Sequence, residues 1–580
     1  MKIRILSLVL TVSLMLGMLL IPVSAADVWN GSDIADSFEG GTGTEQDPYQ
    51  ISNGAELMYF RTRCGNGSKG EYYILTQDID LGDHEWAQIP GIFYGNLNGN
   101  GKTIKGFKQT AITSKATGFF SEINGASVHD LTMEGSIEGV FAFSENNGFL
   151  AAMATGSAKF ENCTMIVNMS CEDTDGSMTN ATVGGFFGRY AYGCTMENCK
   201  VYGSITVETA ATSTDNIYGG FCGRLDTSSA TNCESYVDIT VTNTNTTSRT
   251  HMGGFAGAAY KKDGPPQLTG VVNYGDLKVI SPQNSYIVDV GGMIGRVGFS
   301  EVADVTMTRC FNLGDLILTG GVQSNENGAG FYVGDMAGVI EYTGTKLTLV
   351  DCFGAGATPV GSADKAIWSN ASKGTFTNTN YLANVSLNTL EGAAVRLNDP
   401  TGLRFDTEIS NDLYSNLNNR LDVEFTMGTL IAPTNYVEAA GEFTMEALDA
   451  LKEKQGFEFN TYKKVVFDTE TYGFLEETPN TRVYSGAIAN IYETNYDLSY
   501  SAIGYMTITI GTTTVTVYAD YSETDNARTV AYIGHLAYTD RTDTQDADHP
   551  YFVEEDNNYS PYKTGELEKI KVFSDAYDAE

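Results

Sequence analysis

The sequence predicts an all-β chain: a parallel β-helix built from stacked repeats, with an N-terminal cap before it and a separate β-rich, sandwich-like domain after it. The first observation behind this is a recurring motif. Gly-Gly-Phe-Phe-Gly at 184–188 returns as Gly-Gly-Phe-Cys-Gly at 219–223, Gly-Gly-Phe-Ala-Gly at 253–257 and Gly-Gly-Met-Ile-Gly at 291–295. The first glycines lie 35, 34 and 38 residues apart, a regularity that marks a repeat architecture. The second observation is an apolar column at the third motif position, which weaker copies extend to Phe119, Phe149, Phe186, Phe221, Phe255, Met293 and Met336. The third is a slot whose cysteine falls 14 to 19 residues after the motif begins, as in Met196-Glu-Asn-Cys199, Ala230-Thr-Asn-Cys233 and Met307-Thr-Arg-Cys310. Cys163 and Cys352 fit the same slot, and Val272 takes the place of cysteine in the remaining copy.

After the slot the chain often turns through glycine into an alternating β-branched run, as in Gly203–Val207, Tyr236–Val241 and Gly314–Leu318. Each repeat thus holds about three short strands and no helix. Such a unit cannot bury a core alone, so successive units must stack and share one. In stacked parallel coils equivalent residues sit roughly 4.8 Å apart, which places the Phe and Cys columns in continuous interior ladders. The glycines then serve the corners, where a Cβ obstructs the turn or the close approach of another strand. Coils over roughly residues 90 to 360 form a rod on the order of 35 Å long, with strand edges at both ends that need covering.

Gly-Gly-Phe-x-Gly followed by an Asn-Cys or Arg-Cys strand resembles the GLUG repeats of bacterial surface proteins. The lead-in is similar to the capping segment of such proteins in Gram-positive bacteria: Gly40–Ser52, Tyr73–Leu81 and Phe93–Ile104. The resemblance covers roughly residues 38 to 360. It implies a right-handed β-helix and an extracellular setting, and no particular activity.

At the N-terminus Lys2 and Arg4 precede an apolar run from Ile5 to Ile21, and Val23-Ser-Ala25 supplies small residues for cleavage, the pattern of a secretory signal peptide. The expected organisation is a signal peptide over 1–25, a cap and first coils over 26–117, repeats over 118–360, a cap or linker over 361–385, and the second domain over 386–580. The mature chain is expected to be secreted, without a membrane span, and possessed of a strongly acidic surface: 72 Asp plus Glu against 35 Lys plus Arg give a formal charge of -37. That field disfavours nucleic acid. Five cysteines belong to the repeat slot and read as reduced packing groups. Cys64, Cys171, Cys194 and Cys222 have no assigned place, and no Cys-x-x-Cys points to zinc.

From Glu391 the composition changes. Strands are expected within Ala394–Phe405, Gly428–Pro433, Tyr484–Ile491, Ser501–Ile508 and Thr529–Ile533, with one helix at Thr444–Lys454. These resemble a C-terminal module of secreted Firmicutes proteins for which the resemblance implies no function. Arg396 and Arg404 lie in apolar strands and read as guanidiniums satisfied by carbonyls or carboxylates.

Few residues announce chemistry. The five histidines are scattered, and no Gly-x-Ser-x-Gly, phosphate loop or His-Glu-x-x-His occurs. Asp78, Asp80 and Asp83 read as a strand ending in a turn in preference to a calcium site; no cofactor or metal is expected. One feature repeats without a core role: Arg189, Arg224 and Arg296 each follow the last glycine of the motif, with Ala258 interrupting the column. Aligned arginines on an acidic rod suit bidentate binding of uronic or sialic acids, and equally suit neutralisation of neighbouring acids. The favoured function is surface binding or adhesion through glycan or extracellular protein, with Tyr- and Asn-bearing flanks supplying contact. The alternatives are a polysaccharide-degrading β-helix enzyme and a passive spacer.

Overall fold

A computed structural model describes residues 28–577 apart from 111–115, 140–143, 174–175, 177, 191–192, 212–214, 245–248, 261–263, 282–286, 299–301, 321–330, 357–365, 368–372, 384 and 421–422. The expected signal peptide and Trp368 lie outside the described residues. Two compact units divide between Val385 and Ser386.

The first unit is a parallel β-helix whose coils contribute to three sheets. A leading sheet holds the strand before each glycine pair, including Asp215–Gly219, Arg249–Gly253 and Ile287–Gly291. A returning sheet holds the strand after it, including Phe187–Tyr190, Cys222–Asp226, Ala256–Tyr260 and Ile294–Val297. A broad sheet takes the rest of the coil, such as Thr195–Glu197 and Lys200–Thr209. Pairing between strands of successive coils is parallel, with Gly184, Gly219, Gly253, Gly291 and Gly334 stacked in register. The Phe/Met column from Phe119 to Met336 is wholly buried, and Phe186, Phe221 and Phe255 follow one another at centroid spacings of 5.9 and 5.0 Å.

The Asn-Cys pair has two separate jobs. Asn162, Asn198 and Asn232 adopt left-handed backbone with φ of 53, 52 and 51°, turning the chain between two strands of the broad sheet. Asparagine tolerates that conformation, and it also bonds along the stack: Asn162 Nδ2 donates to Asp130 Oδ1 at 2.9 Å and Asn198 Nδ2 to Asn162 Oδ1 at 3.3 Å. The next residue points inward. Cys163, Cys199, Cys233, Cys310 and Cys352 are buried and free, each with its thiol near the carbonyl two residues earlier. Burial pushes the Cys163, Cys199 and Cys310 thiols up, which makes them inert. In the remaining coil the cysteine slot is filled by Val271, not Val272: Val272 pairs with Glu234, one place beyond Cys233. The glycine at 270 holds the left-handed corner there and shifts the apparent match by one.

Parallel pairing begins earlier and ends later than the motif indicates. Tyr49–Ile51 pairs with Tyr72–Leu75, which pairs with the strand Asn96–Gln109; at the other end Thr375–Thr379 adds to Lys346–Val350. Between the first two strands lies a helix, Gly54–Gly67, that the strand-based reading of the cap did not include. Asn53 caps it by accepting from Glu56 N, and Leu57, Phe60 and Cys64 face the core. Asp78 accepts from Thr103 N, while Asp80 accepts from Gly82 N and pairs with Lys105 at 3.0 Å, so these acids do serve a strand and turn.

The second unit stacks two antiparallel sheets. Gly402–Ser410 pairs with Thr481–Ala489 in one, and Val423–Pro433 with Ser499–Ile510 in the other. Tyr484 donates to the Gly428 carbonyl across the layer at 3.1 Å. Helices cover this sandwich: Met445–Gln455, capped by Thr444, stands where the sequence places it, and Asn411–Asn418, Thr434–Ala440, Val530–Thr539 and Thr564–Ser574 are additional. The expected strand at Thr529–Ile533 is corrected. Only Ala527–Thr529 is strand, and Thr529 caps a helix whose Val530, Ala531 and Ile533 pack inward. A short apolar β-branched run does not distinguish strand from buried helix. Arg396 donates to the Asn398 and Pro400 carbonyls, and Arg404 faces Asp406 at 3.3 Å.

Candidate functional site

Where the leading and returning sheets fold back on each other, they form a seam. Both sheets send one set of side chains to the main core, among them Tyr218, Met252 and Val290 from the leading strands and Tyr190, Leu225 and Val297 from the returning ones. The intervening side chains face each other, as the separate buried cluster of Ile217, Ala258 and Tyr260 shows. The last glycine of the motif permits this closeness. A Cβ on Gly257 would lie 2.5 Å from Ile217 Cγ2 and 2.6 Å from Tyr218 N, and one on Gly223 would lie 2.6 Å from Val183 N.

All three predicted arginines stand in this seam. Arg189, Arg224, Ala258 and Arg296 are in register, so the interrupted column exists as aligned neighbours. Asp226, fully buried, joins the first two: Arg189 Nε and Nη2 lie 2.9 and 2.7 Å from its Oδ2, and Arg224 Nε lies 2.8 Å from its Oδ1. The Arg224 guanidinium also stacks 3.5 Å above the Tyr260 ring. Side-chain exposures of 20 and 24% leave these two at the rim of the seam, whereas Arg296 is 7% exposed.

Arg296 belongs to a second cluster that the sequence did not reveal. Its Nε lies 2.5 Å from Asp289 Oδ2, which also meets His251 Nδ1 at 2.8 Å; His251 Nε2 lies 3.2 Å from Asp215 Oδ1, and Arg249 Nη1 3.3 Å from the same oxygen. Each ring nitrogen of His251 therefore faces a carboxylate oxygen, with the imidazole held between Asp289 and Asp215. Burial raises the Asp215 carboxyl, but the His251 hydrogen bond and the charges of His251 and Arg249 outweigh it and hold the group low. Burial alone lowers Arg296; the charges of Asp289 and Glu341 reverse this and keep it firmly protonated. The missed partners carry a weak signal, because Asp226 and Asp289 each sit two residues from a seam position on the same strand face. Among the described residues no group of three or more His, Cys, Asp or Glu is placed to hold a metal ion.

Tyr202, Tyr236 and Tyr274 stack on the broad sheet at 4.6 and 4.3 Å with interplanar angles of 13 and 2°. Their faces meet one another, so along this row the rings offer edges outward.

Fold and seam together define a repeat-built parallel β-helix protein with an ion-paired fold line and an appended antiparallel unit. No family model matches the chain. A protein of Evansella cellulosilytica, provisionally named a Gly-rich membrane protein, is 37% identical over 114 residues, 17% of this chain and 13% of that protein. A crystal structure from Bacteroides ovatus, provisionally named an immunoglobulin A1 protease, is 19% identical and covers 50% of this chain and 84% of its own, with a TM-score of 0.36. At that distance it assigns neither activity nor substrate here. Among the described residues no helix is long and apolar enough to cross a membrane.

Proposed function

We propose that this chain is a secreted, GLUG-like binding protein whose β-helix contacts acidic glycans or extracellular proteins, with Arg189 and Arg224 at the contact and Arg296 anchoring the seam behind them. The observation that carries this reading is the pairing of Arg189 and Arg224 on one buried carboxylate at the rim. A guanidinium already oriented by Asp226, and for Arg224 also by Tyr260, loses little freedom on meeting a ligand carboxylate. The arginine pair is also a local positive feature on a chain of formal charge -37, which favours an acidic ligand at that point over the surrounding surface.

The test is a glycan and matrix-protein array probed with the full secreted chain. Binding should weaken with salt and fall in Arg189→Ala plus Arg224→Ala. Release of new reducing ends or unsaturated products from plant or mucin polysaccharides would replace the binding reading with an enzymatic one, and silence in both assays would leave a spacer.

A further inference from the structure

The outer face of the broad sheet carries a feature unrelated to the seam. One outward row runs through Thr195, Ser229, Gln267, Thr306, Thr348 and Thr377, and a second, two residues along each strand, through Glu197, Thr231, Thr269, Thr308, Val350 and Thr379. Register is unbroken from coil to coil. All of these residues are half-buried or exposed, while the residues between them, from Met196 to Leu349, point into the core. From Ser229 to Thr379 neither row contains a charge, although the chain holds 72 acidic residues.

β-Branched residues favour strands, so threonine here is unsurprising on its own. Propensity does not account for the exclusion of charge, nor for a second feature: among the described residues, the hydroxyls of these threonines make no hydrogen bond to another protein group. Elsewhere outward threonines pair across strands, as Thr507 with Thr516 at 3.2 Å and Thr509 with Thr514 at 3.0 Å. The rows are therefore a neutral grid of hydroxyl and methyl groups, repeating at about 4.8 Å along the stack and roughly 6.6 Å along each strand.

We infer that this face is a second binding surface, for an uncharged, hydroxyl-rich polymer with its own regular repeat: an extended β-linked neutral glycan lying along the stack. Such a chain advances by one ring over a distance close to the roughly 4.8 Å coil spacing, so successive rings meet equivalent threonines. Its hydroxyls both donate and accept, as threonine does, and its C–H faces match the methyl groups. A charged ligand gains nothing from a neutral grid, which separates this surface from the arginine rim.

The experiment measures retention of the full chain on insoluble cellulose, chitin, mannan and xylan, with the wild type, Thr269→Lys plus Thr308→Lys, Thr269→Val plus Thr308→Val, and Arg224→Ala. Matching melting curves establish that each variant is folded. Retention on at least one polymer should persist in about 0.5 M salt, should fall roughly tenfold or more in both threonine double variants, and should be unchanged in Arg224→Ala. Retention that survives the lysine variant, disappears in salt, or is absent for all four polymers overturns the inference. So does selective adsorption to ice in place of glycan, which would assign the grid to a water lattice. Because the rim reading is tested by Arg224→Ala and salt, the two fail separately.

Discussion

Substituting Gly354 tests the stacking logic most sharply, at the last coil that carries the motif. In the middle coils the second glycine of the motif leaves room for a polar side chain from the broad sheet. A Cβ on Gly220 would lie 2.2 Å from Ser235 Oγ, one on Gly254 would lie 2.1 Å from Asn273 Cγ, and one on Gly292 would lie 2.2 Å from Asn312 Cγ. Ser235, Asn273, Asn312 and Gly354 are in register. In the last coil that carries the motif the roles are exchanged: Asp335 occupies the second-glycine position, and Gly354 the polar one, where a Cβ would lie 1.4 Å from Asp335 Oδ2. Asp335 accepts from Asn312 Nδ2 at 2.8 Å and from Tyr381 OH at 2.6 Å. Gly354→Ala must therefore expel a buried carboxylate. Overpacking costs about 1–3 kcal/mol, and two lost hydrogen bonds to a charged group add roughly 1.5–3 kcal/mol each, for a total on the order of 4–6 kcal/mol after partial relaxation. The double change Gly354→Asn plus Asp335→Gly rebuilds the arrangement of the preceding coil and should recover most of this, less the Tyr381 bond. Hydrogen exchange of peptides covering 331–356 in the full chain reads the effect locally. Equal loss of protection in the double variant and in Gly354→Ala would refute the exchange of roles.

Other outcomes follow from the same contacts. Burial pushes the Asp335 carboxyl up to about 6 even though Tyr381 and Asn312 donate to it. The native state thus binds this proton more tightly than the unfolded chain, so the contribution of Asp335 to stability is fully present below about pH 4 and is lost, by roughly 2–3 kcal/mol, as pH rises from there through about 6; Asp335→Asn should remove that component of the slope in pH-dependent urea unfolding. Cys199→Ala or Cys233→Ala should cost roughly 1–2 kcal/mol through lost packing, and alkylation of the unreduced, unfolded protein should find the five slot thiols free, fewer than five requiring cross-links in the ladder. Gly257→Ala should force the seam apart and lower the midpoint by the equivalent of about 2–3 kcal/mol, whereas an unchanged melt would show that the two sheets tolerate separation. A chain beginning at Gly118 lacks the helix Gly54–Gly67 and the first strands, and should aggregate through its bare edge; a monomer with an unaltered melting curve would remove the capping role.

The sequence by itself determined the repeat, because a stacked coil must present the same side chain to the same neighbour at each turn. Phe221, Cys233 and the glycine corners could be aligned without coordinates for that reason. It also placed the helix after Thr444, where capping and periodicity agree locally. What the tertiary structure alone decided is which polar groups meet. Arg224 and Asp226 are two residues apart and legible as neighbours, but Arg189 reaches Asp226 from the coil before, and Arg296, Asp289, His251 and Asp215 come from three successive coils. No local pattern encodes a fold line that brings two sheets within reach of each other, since it depends on the glycine of one strand meeting the backbone of another. The Asp335–Gly354 exchange was invisible for the same reason: each residue looks like a lapse from its own column, and only their shared space makes them a pair. Val530 to Ile533 failed differently, because side chains of that size satisfy either a buried strand or a buried helix, and the surrounding core made the choice.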